Sequence, residues 1–221
     1  MRSRSHMPVV TIRGLTGSGA SEIGRQVAKA LGGDYVDREI IAQVAEVLKR
    51  PEEQVEAKEK IAPGVFDRIV TPLRRVLSGS GEIESAYSRA WKDPIDDAEY
   101  LRALEAVIRD LALDQNIVIV GRGSQHILRN HRSALHVLVI APLEDRLSRV
   151  MERLHMGREE AARHIDETDS SRRAFIMRFF KREIEDPQLY DLVINTKYIG
   201  YDAASRIIVS ASAAKNPWGY G

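Results

Sequence analysis

The chain contains no cysteine among its 221 residues. This excludes disulfides, thiolate nucleophiles and zinc–thiolate sites together, and it is the usage expected in a reducing cytoplasm. Net charge is nearly absent as well: 33 Lys+Arg against 32 Asp+Glu leave +1, so no global basic field points to a nucleic-acid partner. Long hydrophobic runs are missing. The longest, over residues 134–143, is too short to span a bilayer and contains His136, so no membrane partner is expected. The six histidines show no H-x-H or H-E-x-x-H spacing, which argues against a histidine metal centre. No G-x-S-x-G elbow supports a serine hydrolase. Residues 1–7 carry basic side chains with no apolar stretch behind them, which is not a signal-peptide pattern. Their His6-Met7 reads as a cloning remnant and is set aside from the fold.

What remains is 43% hydrophobic and 29% charged, the composition of an ordinary soluble globular protein. The length suits one α/β domain with a helical insertion, here expected over 8–215 with a loose tail at 216–221. The stretch Val9-Val10-Thr11-Ile12-Arg13-Gly14 is β-branched and ends in glycine, and Gly17 and Gly19 follow before a helical pattern begins. A strand that turns through glycines into a helix directs backbone N–H groups and the positive end of the helix dipole at an anion. From Gly14 to Ser21 the spacing is that of the P-loop, G-x-x-x-x-G-K-[ST], except that Ala20 stands where the lysine belongs. Gly14, Gly17, Ser18, Gly19, Ala20 and Ser21 are therefore the candidate phosphate-binding residues, with the Ser21 hydroxyl as candidate ligand to a magnesium ion.

Apolar strands are expected at 8–13, 34–36, 117–120, 135–140 and 192–195, alternating with helices. The helices are read from Ile23, Val27 and Leu31; from Ile40 to Leu48; from an Asp96 cap through Leu101, Leu104 and Ile108; from Pro142; from Gly157 to about Arg182; and from about Asp202. That alternation implies a doubly wound parallel five-stranded sheet. Residues 51–95 read as a helical insertion with a loop at Ser78-Gly79-Ser80-Gly81, and 143–182 as lid-bearing helices.

Ligands of such a sheet sit beyond the carboxyl ends of the strands. Asp37 and Arg38, and Arg122 between Gly121 and Gly123, fall there. Arg122 suits bidentate phosphate recognition, or is an ordinary turn arginine. Asp37 reads equally as the cap of the next helix. Arg146, Arg149 and Arg153 share one helix face. Asp169 stands three and four residues before Arg172 and Arg173, which places a carboxylate beside two guanidinium groups. Phosphoryl transfer needs charge neutralised on the equatorial oxygens, so Arg146, Arg172 and Arg173 are the candidate catalytic cations. The alternative is a solvated helix face.

Taken together, Gly17-Ser18-Gly19-Ala20-Ser21-Glu22-Ile23, Tyr35-Val36-Asp37-Arg38-Glu39-Ile40-Ile41, Ala141-Pro142-Leu143-Glu144-Asp145-Arg146 and Tyr190-Asp191-Leu192-Val193-Ile194-Asn195-Thr196 resemble the cytidylate kinase-like family of P-loop proteins. The resemblance covers roughly 8–210 and is weakest over 51–95. It implies the P-loop NTPase-type fold with a helical acceptor-site insertion and a helical lid, ATP and Mg²⁺ as cofactors, and a small nucleotide such as CMP or dCMP as acceptor. Carried over by position, it implies that Ser21 holds the metal and that Asp37 begins the acceptor site. Arg122 would grip the acceptor phosphate, Asp169 and Arg172 would read the acceptor nucleoside, and Arg146 would lead into the lid. Ala20 departs from authentic cytidylate kinases, which keep the lysine, although kinase-like relatives tend to carry a small residue there. Gly123 replaces an aspartate of the kinases. Arg13, Arg25 or a lid arginine is the expected source of the missing charge.

Three other readings remain: a nucleotide-binding regulatory protein, a kinase of another small metabolite, and a dinucleotide oxidoreductase. The last lacks the Y-x-x-x-K that its chemistry requires.

Overall fold

Fourteen segments of regular structure, separated by short connections, are described by a computed structural model covering residues 8–60, 95–113 and 116–215. In chain order they are β1 (Val9–Gly14), α1 (Ala20–Leu31), β2 (Asp34–Val36), α2 (Glu39–Leu48) and α3 (Glu52–Lys60). Then come α4 (Asp97–Leu111), β3 (Ile117–Val120), α5 (Ser124–Ile127), β4 (Ala134–Ile140), α6 (Leu143–Leu154) and α7 (Arg158–Phe180). A 3₁₀ turn (Pro187–Leu189), β5 (Leu192–Asn195) and α8 (Tyr201–Ala214) close the series. The expected strands and long helices are present with ends shifted by one or two residues. The short α5 and the 3₁₀ turn carry too few residues for a periodic signal. The Ser78–Gly81 loop, the start at 1–7 and the tail at 216–221 lie outside the described residues.

The five strands form one sheet in the order β2-β3-β1-β4-β5, and every pairing is parallel. This is an α/β P-loop NTPase-type fold. β1 is central because all six of its residues are buried, and a strand covered on both faces must be apolar or paired throughout. Alternation sends Val10 and Ile12 to one face, where they meet Ile23 and Val27 of α1 and Ile208 of α8. Val9, with Ile117 and Ile119 of β3, faces Ile40 and Val44 of α2, Leu104 and Ile108 of α4, and Phe175 and Phe179 of α7. Two helical layers therefore enclose the sheet. The chain moves from β1 to the β2 edge, returns to β3, then passes β1 to reach β4. That reversal brings the carboxyl ends of β1, β3 and β4 together under α6 and α7.

Helix ends follow local chemistry. Asp96 caps α4 by accepting from the N–H groups of Ala98 (2.9 Å) and Glu99 (3.3 Å). α1 has no side-chain cap: its N-cap is Gly19 at φ 90°. The first-turn N–H groups of α1 therefore point out of the glycine loop without a side-chain acceptor, as an anion site requires.

Candidate functional site

The glycine loop, Gly14 to Gly19, is held tightly from below. Ser18 N–H donates to Leu15 O (2.9 Å) and Leu15 N–H to Val139 O (3.3 Å). No side chain larger than hydrogen fits at three of its positions. A Cβ on Gly14 would collide with Ala20 Cβ, one on Gly17 would lie 2.7 Å from Arg146 O, and one on Gly19 would enter the Tyr201 ring. The loop's inner face is polar but incompletely paired. Ser18 is fully buried and its Oγ has no partner among the described residues. A buried hydroxyl in that state costs free energy unless a ligand supplies the missing bond. Ala20 is buried and adds no charge.

Two helices clamp the loop through side chains that donate to its carbonyls. From α6, Arg146 Nη1 donates to Thr16 O (3.1 Å) and pairs with Asp169 Oδ2 (2.7 Å). One turn on, Arg149 donates to Gly17 O (3.4 Å), Thr196 Oγ1 (2.8 Å) and Thr196 O (2.9 Å), while Thr196 Oγ1 donates to Ser18 O (2.8 Å). From α7, Asp169 Oδ1 accepts both the N–H (2.9 Å) and the hydroxyl (2.8 Å) of Thr16. Burial raises the Asp169 pKa, but the bonds from Thr16 and Arg146 outweigh it and hold the carboxyl below the ordinary aspartate value. Arg172 sends Nη1 to Thr16 Oγ1 (3.2 Å) and Gly14 O (3.4 Å).

The third part of the site stands at the end of β3. Gly121, Arg122 and Gly123 all have positive φ, of 80°, 52° and 68°. For arginine this is an uncommon conformation that the flanking glycines permit. The turn directs the Arg122 guanidinium to Glu59 of α3 (3.1 Å) and to Asp37 beyond β2 (3.5 Å). Glu59 also accepts from the buried Tyr100 hydroxyl (2.8 Å), so α3, α4 and β3 meet at one carboxylate. The Tyr35 hydroxyl donates to Asp37 Oδ2 (3.3 Å) and lies near Ser21; burial raises the tyrosine pKa, and Ser21 lowers it by a smaller effect. Ser21, on the first turn of α1, and Asp37 thus both lie near this hydroxyl.

The structure gathers Ser21, Asp37, Arg122, Arg146, Asp169 and Arg172 around the glycine loop. It does not gather Arg38 or Arg173. The Arg38 side chain is 76% exposed and pairs with Glu56; Arg173 is exposed and pairs with Glu185. Asp169 is bonded to the loop rather than facing an open space, so in this conformation it fixes Thr16. Glu59, Thr196 and Tyr201 were not among the sequence candidates. No spacing rule connects them to the loop, because each arrives from a different element.

A family profile described as the cytidylate kinase-like family matches residues 9–198. Among curated relatives, a protein named cytidylate kinase from Thermococcus kodakarensis is 27% identical over 212 residues, covering 96% of this chain and 91% of that protein. A cytidylate kinase of Sulfolobus acidocaldarius is 30% identical over 121 residues, covering 55% of this chain and 66% of that protein. Among solved structures, an uncharacterized protein of Eubacterium ventriosum superposes with a TM-score of 0.65 at 16% identity, covering 94% of this chain and 99% of that one. That likeness extends to the fold. With the profile spanning every strand and the glycine loop, the chain belongs to the cytidylate kinase-like family.

Proposed function

We propose that this protein transfers the γ-phosphoryl group of ATP to a nucleoside monophosphate, with CMP or dCMP the favoured acceptor. One observation carries the reading: a glycine loop with an uncapped helix start lies beside Arg122 and Arg172 at the carboxyl ends of β1 and β3. A triphosphate suits the loop because α1 starts without a side-chain cap and the Ser18 hydroxyl has no partner among the described residues. Ser21 and Asp37, both near the Tyr35 hydroxyl, are the residues that would hold Mg²⁺, directly or through water. Bound there, the ion would neutralise phosphate charge and orient the β- and γ-oxygens.

The chain's own residues then divide the work. Backbone N–H groups of the loop and of the first turn of α1 bind the donor phosphates. Arg122 turns from Glu59 and Asp37 to the acceptor phosphate, an exchange of one oxyanion for another. Arg172 covers the reacting centre from α7. Arg146 and Asp169 position the loop by holding Thr16. The acceptor's preference for cytosine rests on the names of the relatives and on the family, and the cytoplasm as the place of action on the absence of cysteine. Among the described residues no helix is long and apolar enough to cross a membrane.

Ala20 and the pairing of Arg122 with two carboxylates favour a second reading, a nucleotide-binding regulatory protein without rapid chemistry. Labelled ATP–Mg²⁺ offered with CMP, dCMP, UMP, dTMP, AMP and GMP separates the two. A labelled diphosphate formed by wild type and lost in Arg122→Ala is the expected result. ATP binding with no product from any acceptor would select the regulatory protein.

A further inference from the structure

Arg13, the last side chain of β1 before Gly14, is 7% exposed. Strand alternation puts it on the α7 face of the sheet, with Val9 and Thr11. Its Nη2 has no hydrogen-bond partner among the described residues, and no ion pair is made by this guanidinium there. The neighbouring groups are already committed. Asp169 is held by Thr16 and Arg146, Glu185 by the exposed Arg173, and the Tyr190 hydroxyl donates to Ile184 O (2.6 Å). Arg172 donates to the carbonyl of Gly14, the residue after Arg13, so the region concentrates positive charge. Burial first, then Arg172, pushes the Arg13 pKa down to about 9, which leaves it cationic at neutral pH.

A buried cation without an acceptor is unfavourable, and this one adjoins the loop that has Ala20 in place of the lysine. We propose that Arg13, together with Arg172, receives a phosphoryl dianion and supplies the charge that Ala20 leaves out of the glycine loop. Arg25 does not serve: it is exposed, paired with Glu22 at 3.2 Å and lying over the Tyr35 ring. The ligand class rests on the phosphotransfer reading above. The dianion belongs either to the donor's transferring phosphate or to the acceptor's, and the two share the same chemistry.

Thermal unfolding of wild type, Arg13→Met, Arg13→Lys and Arg25→Met, each alone, with ATP–Mg²⁺ and with CMP, tests this without requiring turnover. Arg13→Met is expected to raise the ligand-free Tm by about 3–6 °C, since it removes an unpaired buried charge. It should also abolish most of the Tm increase that one of the nucleotides gives wild type. Arg13→Lys should keep part of that increase and Arg25→Met all of it. Loss confined to ATP assigns the donor phosphate, and loss confined to CMP the acceptor phosphate. An Arg13→Met protein less stable than wild type, or one with both nucleotide responses intact, overturns the proposal, as does a wild type that responds to neither nucleotide. A retained, Arg13-dependent response without product formation would overturn the kinase reading alone.

Discussion

Asp169 takes three hydrogen bonds at once, from the Thr16 N–H, the Thr16 hydroxyl and Arg146, in a setting where its side chain is 5% and that of Arg146 11% exposed. The Coulombic part of such a pair is offset by desolvation, but removing one partner leaves the other charge buried and unpaired. Asp169→Asn is therefore expected to cost roughly 3 kcal/mol of stability, seen as a lower urea midpoint. It should also weaken ATP binding, because Thr16 loses its anchor. The carboxylate's depressed pKa makes its contribution present above about pH 4 and lost as pH falls through the folded value. Arg122 behaves differently at the same scale. Its side chain is 19% exposed and its partners Glu59 and Asp37 belong to separate elements, so Arg122→Ala should change turnover far more than stability. Paired measurement of kcat/KM and urea midpoint checks that separation.

At the scale of elements, the loop is a join between β1 and α1 that other helices keep in shape. α6 touches it at Gly17, α7 at Thr16, and the start of α8 at Gly19 through Tyr201. Gly19 carries two constraints at once: φ of 90° and a ring where its Cβ would be. Gly19→Ala should lower stability by roughly 2 kcal/mol from the backbone alone, with a further loss from the collision. Calorimetric Tm values for Gly19→Ala and for the double variant Gly19→Ala/Tyr201→Ala separate the two, since removing the ring relieves the collision and leaves the backbone strain. Arg149 lies over the same ring, 5.5 Å from its centroid. Tyr201→Ala by itself should therefore loosen the Arg149–Gly17 contact and raise the KM for ATP.

The molecule as a whole responds to acid through His136 of β4 and the partly buried His126 of α5. His136 of β4 is 6% exposed and its Nδ1 lies 2.7 Å from Thr11 Oγ1 of β1. Burial pushes its pKa down to about 4, against the opposing charge of Asp191. Burial and Arg182 bring His126 to about 4 as well. The unfolded chain takes up these protons near pH 6.5 while the folded chain excludes them until about pH 4, so stability rises with pH across that window and is complete above it. His136 alone accounts for up to about 3 kcal/mol of that change. Urea midpoints at pH 4.5, 5.5 and 7 should climb, and His136→Gln should flatten the climb without removing the part due to His126.

The strands, the glycine loop and the long helices were legible in the sequence because each rests on a local rule. Ile117-Val118-Ile119-Val120 is apolar throughout because both sheet faces are covered, and Gly17 and Gly19 occur where φ is positive. The family was legible for the same reason, since its motifs are short and contiguous. Which charged side chains meet was not. Asp169 and Arg172 keep their helical spacing, yet Asp169 turned out to hold Thr16, 153 residues away, while Arg173 beside them faces Glu185. Arg38 directly follows Asp37, but only Asp37 reaches Arg122. Periodicity says which face of an element a residue occupies, whereas long-range Coulombic and hydrogen-bond partners depend on how the elements are stacked. Sequence alone determined that this chain carries the glycine spacing of a P-loop with Ala20 at the lysine position. Only the tertiary structure decided that Arg13 is buried with no ion-pair partner among the described residues, because a charge left without a partner is a property of three-dimensional surroundings and not of chain order.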